Sequence, residues 1–317
     1  MKVKRFFWTS FITIGVILSL LGLYIYVARR GISTPAHAQP APQPSATSHA
    51  IQFAVIGDFG QAGAPPAAVA KMVKRWQPDF IITTGDNNYP DGAAETIDTN
   101  IGQYYSEYIY PYKGAYTAGS APNRFFPALG NHDWRTRQAE PYADYFPISS
   151  SPANTGSSDN ERYYDFIQGP GHFFVLNSDP HAITPIEEQA AWLEAQLATS
   201  ESAWQIVYFH HPPYSSGWHG NEPHMQLPFH AWGVDAVLAG HDHNYERLTR
   251  DGLPYFVNGL GGKGIRPFRL TPEAGSQLRY AHDYGAMWVE ATETTLTFQF
   301  YSITNGGALI DSYTLLE

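Results

Sequence analysis

The chain contains no cysteine, and that removes several chemistries at once. Disulfide staples, thiolate metal ligands and cysteine nucleophiles are all excluded. Charge is also scarce, with 15% of residues being Asp, Glu, Lys or Arg. No acidic residue occurs before position 51, whereas Lys2, Lys4, Arg5, Arg29 and Arg30 all do. Beyond position 50, fourteen basic residues therefore face 29 acidic ones, a formal balance of −15. That surface is wrong for a phosphate backbone, so nucleic acid is not expected as a main partner. A bound metal pair would offset part of the negative charge. Internal repeats are absent as well.

What the chain does have is 317 residues, 43% of them hydrophobic and 15% aromatic. That is enough for one large domain or two small ones with a sizeable core, and the aromatic content points to a β-rich body. Residues 6–28 form one uncharged, mostly apolar run. A helix of that length spans about 34 Å, enough for a bilayer core. Its basic flanks favour an N-terminus in the cytoplasm and an exported remainder. Residues 1–30 are thus expected to be a transmembrane anchor, making the membrane a partner through this helix. A cleaved signal is the alternative, with Ala36-His37-Ala38 as the small-x-small site and a secreted product. Residues 31–50, with Pro35, Pro40, Pro42 and Pro44 among Ala, Ser and Gln, read as an extended linker. Residues 51–317 are left as the catalytic domain.

Within that domain strands and helices alternate. Strands are expected at 51–56, 80–83, 125–129, 205–209 and 236–239, with a strand pair, 163–166 and 173–177, around Gly169-Pro170-Gly171. Helices are expected at 66–76, 98–110 and 185–198, the last with Ile186, Trp192, Leu193 and Leu197 as its buried face. Residues 295–301 alternate as a strand with one wet face does.

Five short segments follow these strands: Gly57-Asp58-Phe59-Gly60, Gly85-Asp86-Asn87-Asn88-Tyr89, Gly130-Asn131-His132-Asp133, Val207-Tyr208-Phe209-His210 and Gly240-His241-Asp242-His243. Taken singly, each has an ordinary explanation. Gly-Asp is often a turn with a capping carboxylate, Tyr89 a buried aromatic, Asn131 a turn amide and a lone histidine a structural residue. Together they change meaning. In open α/β sheets functional loops gather beyond the carboxyl ends of the strands, so all five segments can meet on one rim. Their carboxylates, amide, imidazoles and phenol exceed what one metal needs and suit two, with Asp86 as the natural bridge. Two adjacent cations can hold a phosphate ester and acidify a bridging water, whose hydroxide then attacks phosphorus in line.

This set resembles the calcineurin-like metallophosphoesterase superfamily, and within it the purple acid phosphatases. Phe59-Gly60 stands where many relatives have a histidine, and the Tyr89 of Gly85–Tyr89 matches that departure. The likeness covers about 51–247, including Asn244-Tyr245-Glu246-Arg247. It implies a four-layer α/β sandwich, two mixed β-sheets flanked by helices, with the dinuclear site at the C-terminal strand ends. It implies Asp58, Asp86, Tyr89 and His243 around a ferric ion, and Asp86, Asn131, His210 and His241 around a divalent Fe, Zn or Mn. It implies further that His132 reaches the phosphate or leaving group, oriented by Asp133. His219 would be a proton donor, a role for which His211 and His224 compete. The expected function is acid-phosphatase-type hydrolysis of small-molecule phosphate monoesters, outside the cytoplasm and at acidic pH.

A phosphodiesterase or nucleotide pyrophosphatase on the same centre is the nearest alternative. The motifs do not separate these, and specificity is expected from loops at 104–117, 149–160 and 215–228. A non-catalytic metal- or partner-binding surface module is the remote one. Loss of a ligand would be its signature, and every ligand position is filled. Asp242 is expected to face solvent or fix a neighbour, and Arg247 to pair with Glu246 or another carboxylate. His172, His181, His230 and His282 read as structural, and Gly261-Gly262-Lys263-Gly264 as a loop beside the site, since it lacks phosphate-loop spacing.

Overall fold

The computed structural model describes residues 50–146, 148 and 162–317. The anchor or signal at 1–30, all of the linker at 31–50 except Ala50, and the loop at 149–160 lie outside the described residues. Among the described residues no helix is long and apolar enough to cross a membrane.

Among the described residues, thirteen strands build two mixed sheets. They are β1 (Ile51–Ile56), β2 (Phe80–Thr83), β3 (Phe125–Pro127), β4 (Tyr164–Gln168), β5 (Gly171–Val175), β6 (Trp204–Tyr208), β7 (Ala236–Ala239), β8 (Tyr245–Arg250), β9 (Leu253–Asn258), β10 (Ser276–Tyr280), β11 (Gly285–Ala291), β12 (Thr295–Ser302) and β13 (Ala308–Leu316). The first sheet runs β13-β12-β11-β1-β2-β3 and the second β10-β8-β9-β7-β6-β5-β4. In the first, β1, β2 and β3 are parallel, and β11 joins β1 antiparallel. In the second, β5, β6, β7 and β9 are parallel, and β4 and β8 pair antiparallel at their sides.

The helices are α1 (Ala64–Trp76), α2 (Ala94–Ile97), α3 (Gln103–Tyr105), α4 (Glu140–Tyr145) and α5 (Ile186–Leu197). Apolar spacing in α1 buries Val69, Ala70, Met72 and Val73, and Trp76 reaches Trp288 and Tyr301 of the first sheet. In α5, Glu187 and Glu188 suit the positive N-terminal end of the helix, and Leu193 and Leu197 are buried as expected. Trp192 and Ile186 are only partly buried. Gln189 takes a buried place instead, because its amide bonds the Asn177 N–H and the carbonyls of Asn177 and Thr184.

The central strands show how one sequence serves two cores. Successive side chains point to opposite faces of a strand. Phe173 of β5 packs between the sheets on Phe53, Phe80 and Phe166, while Phe174 enters the cluster that holds Leu193 and Leu197 of α5. Ile206 and Tyr208 of β6 likewise face inward, and Val207 outward. Each such side chain contributes about 1.5–3 kcal/mol on burial, which is why these strands read as unbroken apolar runs. The layers are therefore helix, sheet, sheet, helix, the architecture the sequence implied.

The expected helix at 98–110 is not continuous. Residues Asp98–Gly102 form a π turn, then come α3 and a 3-10 turn at Ser106–Tyr108. Tertiary bonds explain this. Asp98 accepts from the Tyr112 and Tyr145 hydroxyls, and Asn100 donates to Asn88 and to the Tyr89 carbonyl.

Candidate metal centre

The loops after β1 and β2 clasp one another before any side chain is considered. The Asp58 N–H bonds the Gly85 carbonyl, the Gly60 N–H that of Asp86, and the Tyr89 N–H that of Gly60. Asp58 (φ 52°), Asp86 (φ 54°) and His241 (φ 69°) all adopt left-handed backbone, uncommon for residues other than glycine. Such strain persists where surrounding structure enforces it, and here it turns three donors into one space. Gly130 explains the closeness of the third loop: a Cβ there would stand 2.2 Å from the Asp86 nitrogen.

Seven donors converge in two groups. In the first, the Tyr89 hydroxyl lies 2.6 Å from Asp86 Oδ2, 3.3 Å from Asp58 Oδ1 and 3.4 Å from His243 Nε2. His243 Nε2 is itself 3.4 Å from Asp58 Oδ1. In the second, His210 Nε2 lies 3.1 Å from Asn131 Oδ1, 3.2 Å from His241 Nδ1 and 3.5 Å from Asp86 Oδ1. Asp86 thus presents one carboxylate oxygen to each group. All seven residues expected as metal ligands come together here.

The electrostatics fit two bound cations. Asp58 and Asp86 are fully buried, and among the described residues neither has a Lys or Arg within 4.0 Å. Buried carboxylates without cations are costly. Burial pushes Asp86 up, but His210, His132 and the Tyr89 and backbone hydrogen bonds outweigh it, holding its carboxyl below the ordinary value. Burial, Asp86 and Asp58 hold the Tyr89 phenol well above its ordinary value. Only a strong local cation would reverse that. Burial lowers His210, yet Asp86, Asp58 and the Thr84 carbonyl raise it further, so a proton there partly replaces a cation. The Thr84 carbonyl takes His210 Nδ1 at 2.8 Å, leaving Nε2 for the centre. Burial and the neighbouring imidazoles push His241 far down, leaving it neutral. Neutral imidazole is the form that binds metals.

The His132 ring packs tilted against that of Tyr89, centroids 4.4 Å apart, with Nε2 4.0 Å from Asp86 Oδ2. Its Nδ1 meets the Pro90 carbonyl at 2.6 Å. The expected orientation of His132 by Asp133 is therefore corrected. Asp133 is buried and accepts from the backbone N–H groups of Asn87, Asn88 and Gly130 and from the Asn87 amide. It ties the second loop to the third. Burial and the Asp86 charge push it up to about 7. Two residues adjacent in sequence thus take different partners, His132 preceding the 3-10 turn at Asp133–Arg135 and Asp133 opening it.

His219 stands over His241, ring centroids 4.1 Å apart. Its Nε2 meets the Arg266 guanidinium. His211 bonds Ser178, and His224 bonds the Ser178 carbonyl. Asp242 does not face solvent; it is buried and fixes Ser215 and the His219 N–H. Arg247 pairs with Asp311 rather than Glu246. A cavity of about 510 Å³ opens on the second donor group, lined by Asn131, Trp134, Arg135, Asp179, Pro180, His181, His211 and His241. The sequence did not flag Arg135 or Trp134, though both follow His132 closely. The Gly259–Gly264 loop does lie beside the centre, with the Lys263 N–H on the Asp58 carbonyl.

Strand-end donors in two groups, joined by one carboxylate, define a dinuclear metallohydrolase. Residues 51–245 match the calcineurin-like phosphoesterase family, more than half of the chain. The chain belongs to that family and is a phosphoric-ester hydrolase whose family implies a dinuclear metal centre. It is 25% identical to purple acid phosphatase 17 of Arabidopsis thaliana over 82% of this chain and 83% of that protein. It is 26% identical to purple acid phosphatase 3 of the same plant, over 89% and 84%. Among solved structures it superposes on GAP50, the anchor in the inner membrane complex of Plasmodium, with a TM-score of 0.64 and 19% identity over 84% of this chain and 89% of that one. PhoD follows the same fold with a TM-score of 0.54 and 14% identity, over 87% and 71%.

Proposed function

We propose that the chain hydrolyses phosphate monoesters of small molecules, in the manner of an acid phosphatase. The observation that carries this is Asp86, whose two oxygens face two separate donor groups. The groups differ in character. Asp58, Asp86, Tyr89 and His243 offer three oxygens to one nitrogen, which suits a hard trivalent ion, proposed as Fe(III). Asp86, Asn131, His210 and His241 offer two of each, which suits divalent Fe, Zn or Mn. When bound, the pair supplies Lewis acidity toward the phosphoryl group and an acidified water as nucleophile.

The chain's own residues do the rest. Pro90 fixes His132 through Nδ1, so Nε2 is the nitrogen free to face the phosphoryl group and hold or release a proton there. Burial lowers its affinity for that proton, despite the Asp86 charge. Trp134, Pro180 and His181 wall the cavity where the organic part of the ester would sit. We place the domain at 51–317 outside the cytoplasm, carried by the anchor at 1–30 and the linker at 31–50, or secreted where the leader is cleaved. The acidic working range follows from the ferric assignment.

The test is metal analysis and a visible spectrum of the purified full chain. A tyrosinate–ferric centre gives a coloured protein, and Tyr89→Phe bleaches it. Colourless protein with two zinc ions would keep the hydrolase and remove the iron.

A further inference from the structure

We propose that Trp134 and Asp179 form a subsite for an ammonium group carried on the organic part of the ester. The substrates would be phosphate monoesters of amino alcohols, with choline phosphate the simplest quaternary case. This rests on the hydrolase reading above and specifies its substrate.

Trp134 and Asp179 line the same cavity as the donors Asn131 and His241. One residue holds both in place. Asn177 Oδ1 accepts from the Trp134 indole N–H at 3.0 Å and from the Asp179 N–H at 3.3 Å. Asn177 is in turn held by Gln189 of α5, whose amide oxygen takes the Asn177 N–H and whose amide nitrogen donates to the Asn177 carbonyl. Asn177 and Gln189 are both buried. Buried amides are tolerated where they are hydrogen-bonded, and this chain of bonds runs from the helix layer to the cavity wall.

What the wall offers follows from what those bonds use up. Trp134 has one donor and spends it on Asn177, so it gives the cavity only ring surface. The Asp179 N–H is spent in the same way, and Pro180 beside it has none. Asp179 Oδ1 accepts from the His181 N–H at 2.8 Å and meets His181 Nδ1 at 3.1 Å. Asp179 Oδ2 has no hydrogen-bond partner among the described residues, although Asp179 is only 6% exposed. These three residues thus present a carboxylate oxygen, an aromatic ring and no free donor. An anion finds nothing to bond there. An ammonium group is attracted by the ring and the carboxylate together, and it offsets a buried charge that is otherwise costly.

The rest of the cavity agrees. Arg135 stands beside His132, both on the Pro90 carbonyl, so positive charge lies where the phosphoryl group is expected. Negative charge lies at Asp179 and continues into a cavity of about 250 Å³ that shares Asp179 and Pro180 and is also lined by Glu187 and His224. Arg162 approaches the indole too, 5.9 Å from the ring centre, but it is tied to the Gln138 carbonyl and does not line the cavity. Hydrolysis of such an ester consumes one water and releases the amino alcohol and orthophosphate.

The experiment compares the full chain with Asp179→Asn, Trp134→Phe and Trp134→Leu. The probes are choline phosphate and neohexyl phosphate, its neutral twin with carbon in place of the ammonium nitrogen. The kcat/KM is measured for both esters, and calorimetry gives affinity for the two corresponding phosphonates, which are not hydrolysed. The wild type should favour the ammonium member of each pair by about 10-fold or more. Asp179→Asn and Trp134→Leu should each bring that preference below about 3-fold, through KM rather than kcat, and Trp134→Phe should keep part of it. No preference in the wild type, or one that survives both Asp179→Asn and Trp134→Leu, would overturn the subsite. Equal hydrolysis of the two esters would defeat this inference and leave the hydrolase reading standing. Hydrolysis of neither ester, nor of phenyl phosphate, would defeat the phosphatase reading instead. The phosphonate affinities would then still decide the subsite, and binding of neither phosphonate would count against it.

Discussion

The first sheet ends in oxygen donors and the second in nitrogen donors. Asp58, Asp86, Tyr89 and Asn131 follow β1, β2 and β3, whereas His210, His241 and His243 follow β6 and β7. Neither sheet alone offers a complete set for either proposed ion. Each donor group draws on both, so the centre forms only where the two sheets meet, and metal binding should report on that seam. Next to the centre the seam is largely apolar, with Phe126 stacked on Phe166 at 3.9 Å and the Tyr208 hydroxyl on the Phe126 carbonyl. Packing sets the spacing of the sheets, and the donors use that spacing.

Asp86→Ala breaks this arrangement most severely. It removes the one residue shared by both groups, so metal content should fall from two ions toward none, and kcat/KM by more than about 10³-fold. Retention of one tightly held ion would show that the groups are independent. The second-sheet ligands allow a finer test. His243→Ala should empty the oxygen-rich group first and bleach any colour, while His241→Ala should cost the divalent ion and leave the colour in place. Metal analysis paired with the visible spectrum checks both, and identical losses from the two variants would contradict the division into groups.

Asp133 lies wholly on the oxygen side, where it fastens one loop to the next. Asp133→Asn should lower metal affinity about 10–100-fold, the usual cost of losing a residue that orients ligands. It also offers a test by pH. Burial and the Asp86 charge raise its folded pKa to about 7, above the ordinary carboxylate value. A group raised in this way contributes stability below its unfolded pKa and loses it as pH rises through the folded one. Metal-free protein should therefore lose melting temperature between about pH 4 and pH 7. The Asn variant should flatten that fall, and bound metal should reduce it by offsetting the Asp86 charge. An unchanged slope in the variant would assign the effect to other groups.

The sequence shows this site well because its donors sit one or two residues beyond apolar strands, and strand direction carries them to one rim. Phe125–Pro127 and Ala236–Ala239 were legible for that reason. Strands β8, β9 and β10 were not. Strand β8 carries Glu246 and Arg247 at buried or half-buried places, and their partners Ser216, Ser276 and Asp311 are remote in sequence. No local pattern reveals such pairing. Asp133 misled in the opposite way, since its neighbour in sequence is not its neighbour in space. The loop holding Lys263 was expected beside the site and is held there by its backbone bonds, whereas Arg266 belongs to no motif.

The far side of the same seam gives the smallest expected effect. Arg247 of β8 in the second sheet grips Asp311 of β13 in the first through two bonds, at 2.7 and 3.1 Å, and the Tyr245 hydroxyl joins them at 2.9 Å. This contact also spans both sheets, but it holds no donor. Arg247→Ala should cost about 1.5–3 kcal/mol in denaturant unfolding, the range for hydrogen bonds to charged groups. Metal content and kcat per folded molecule should stay at wild-type levels. If they fell together with stability, the sheets would be coupled along their whole length, and the metal end could not be treated as a separate structural unit.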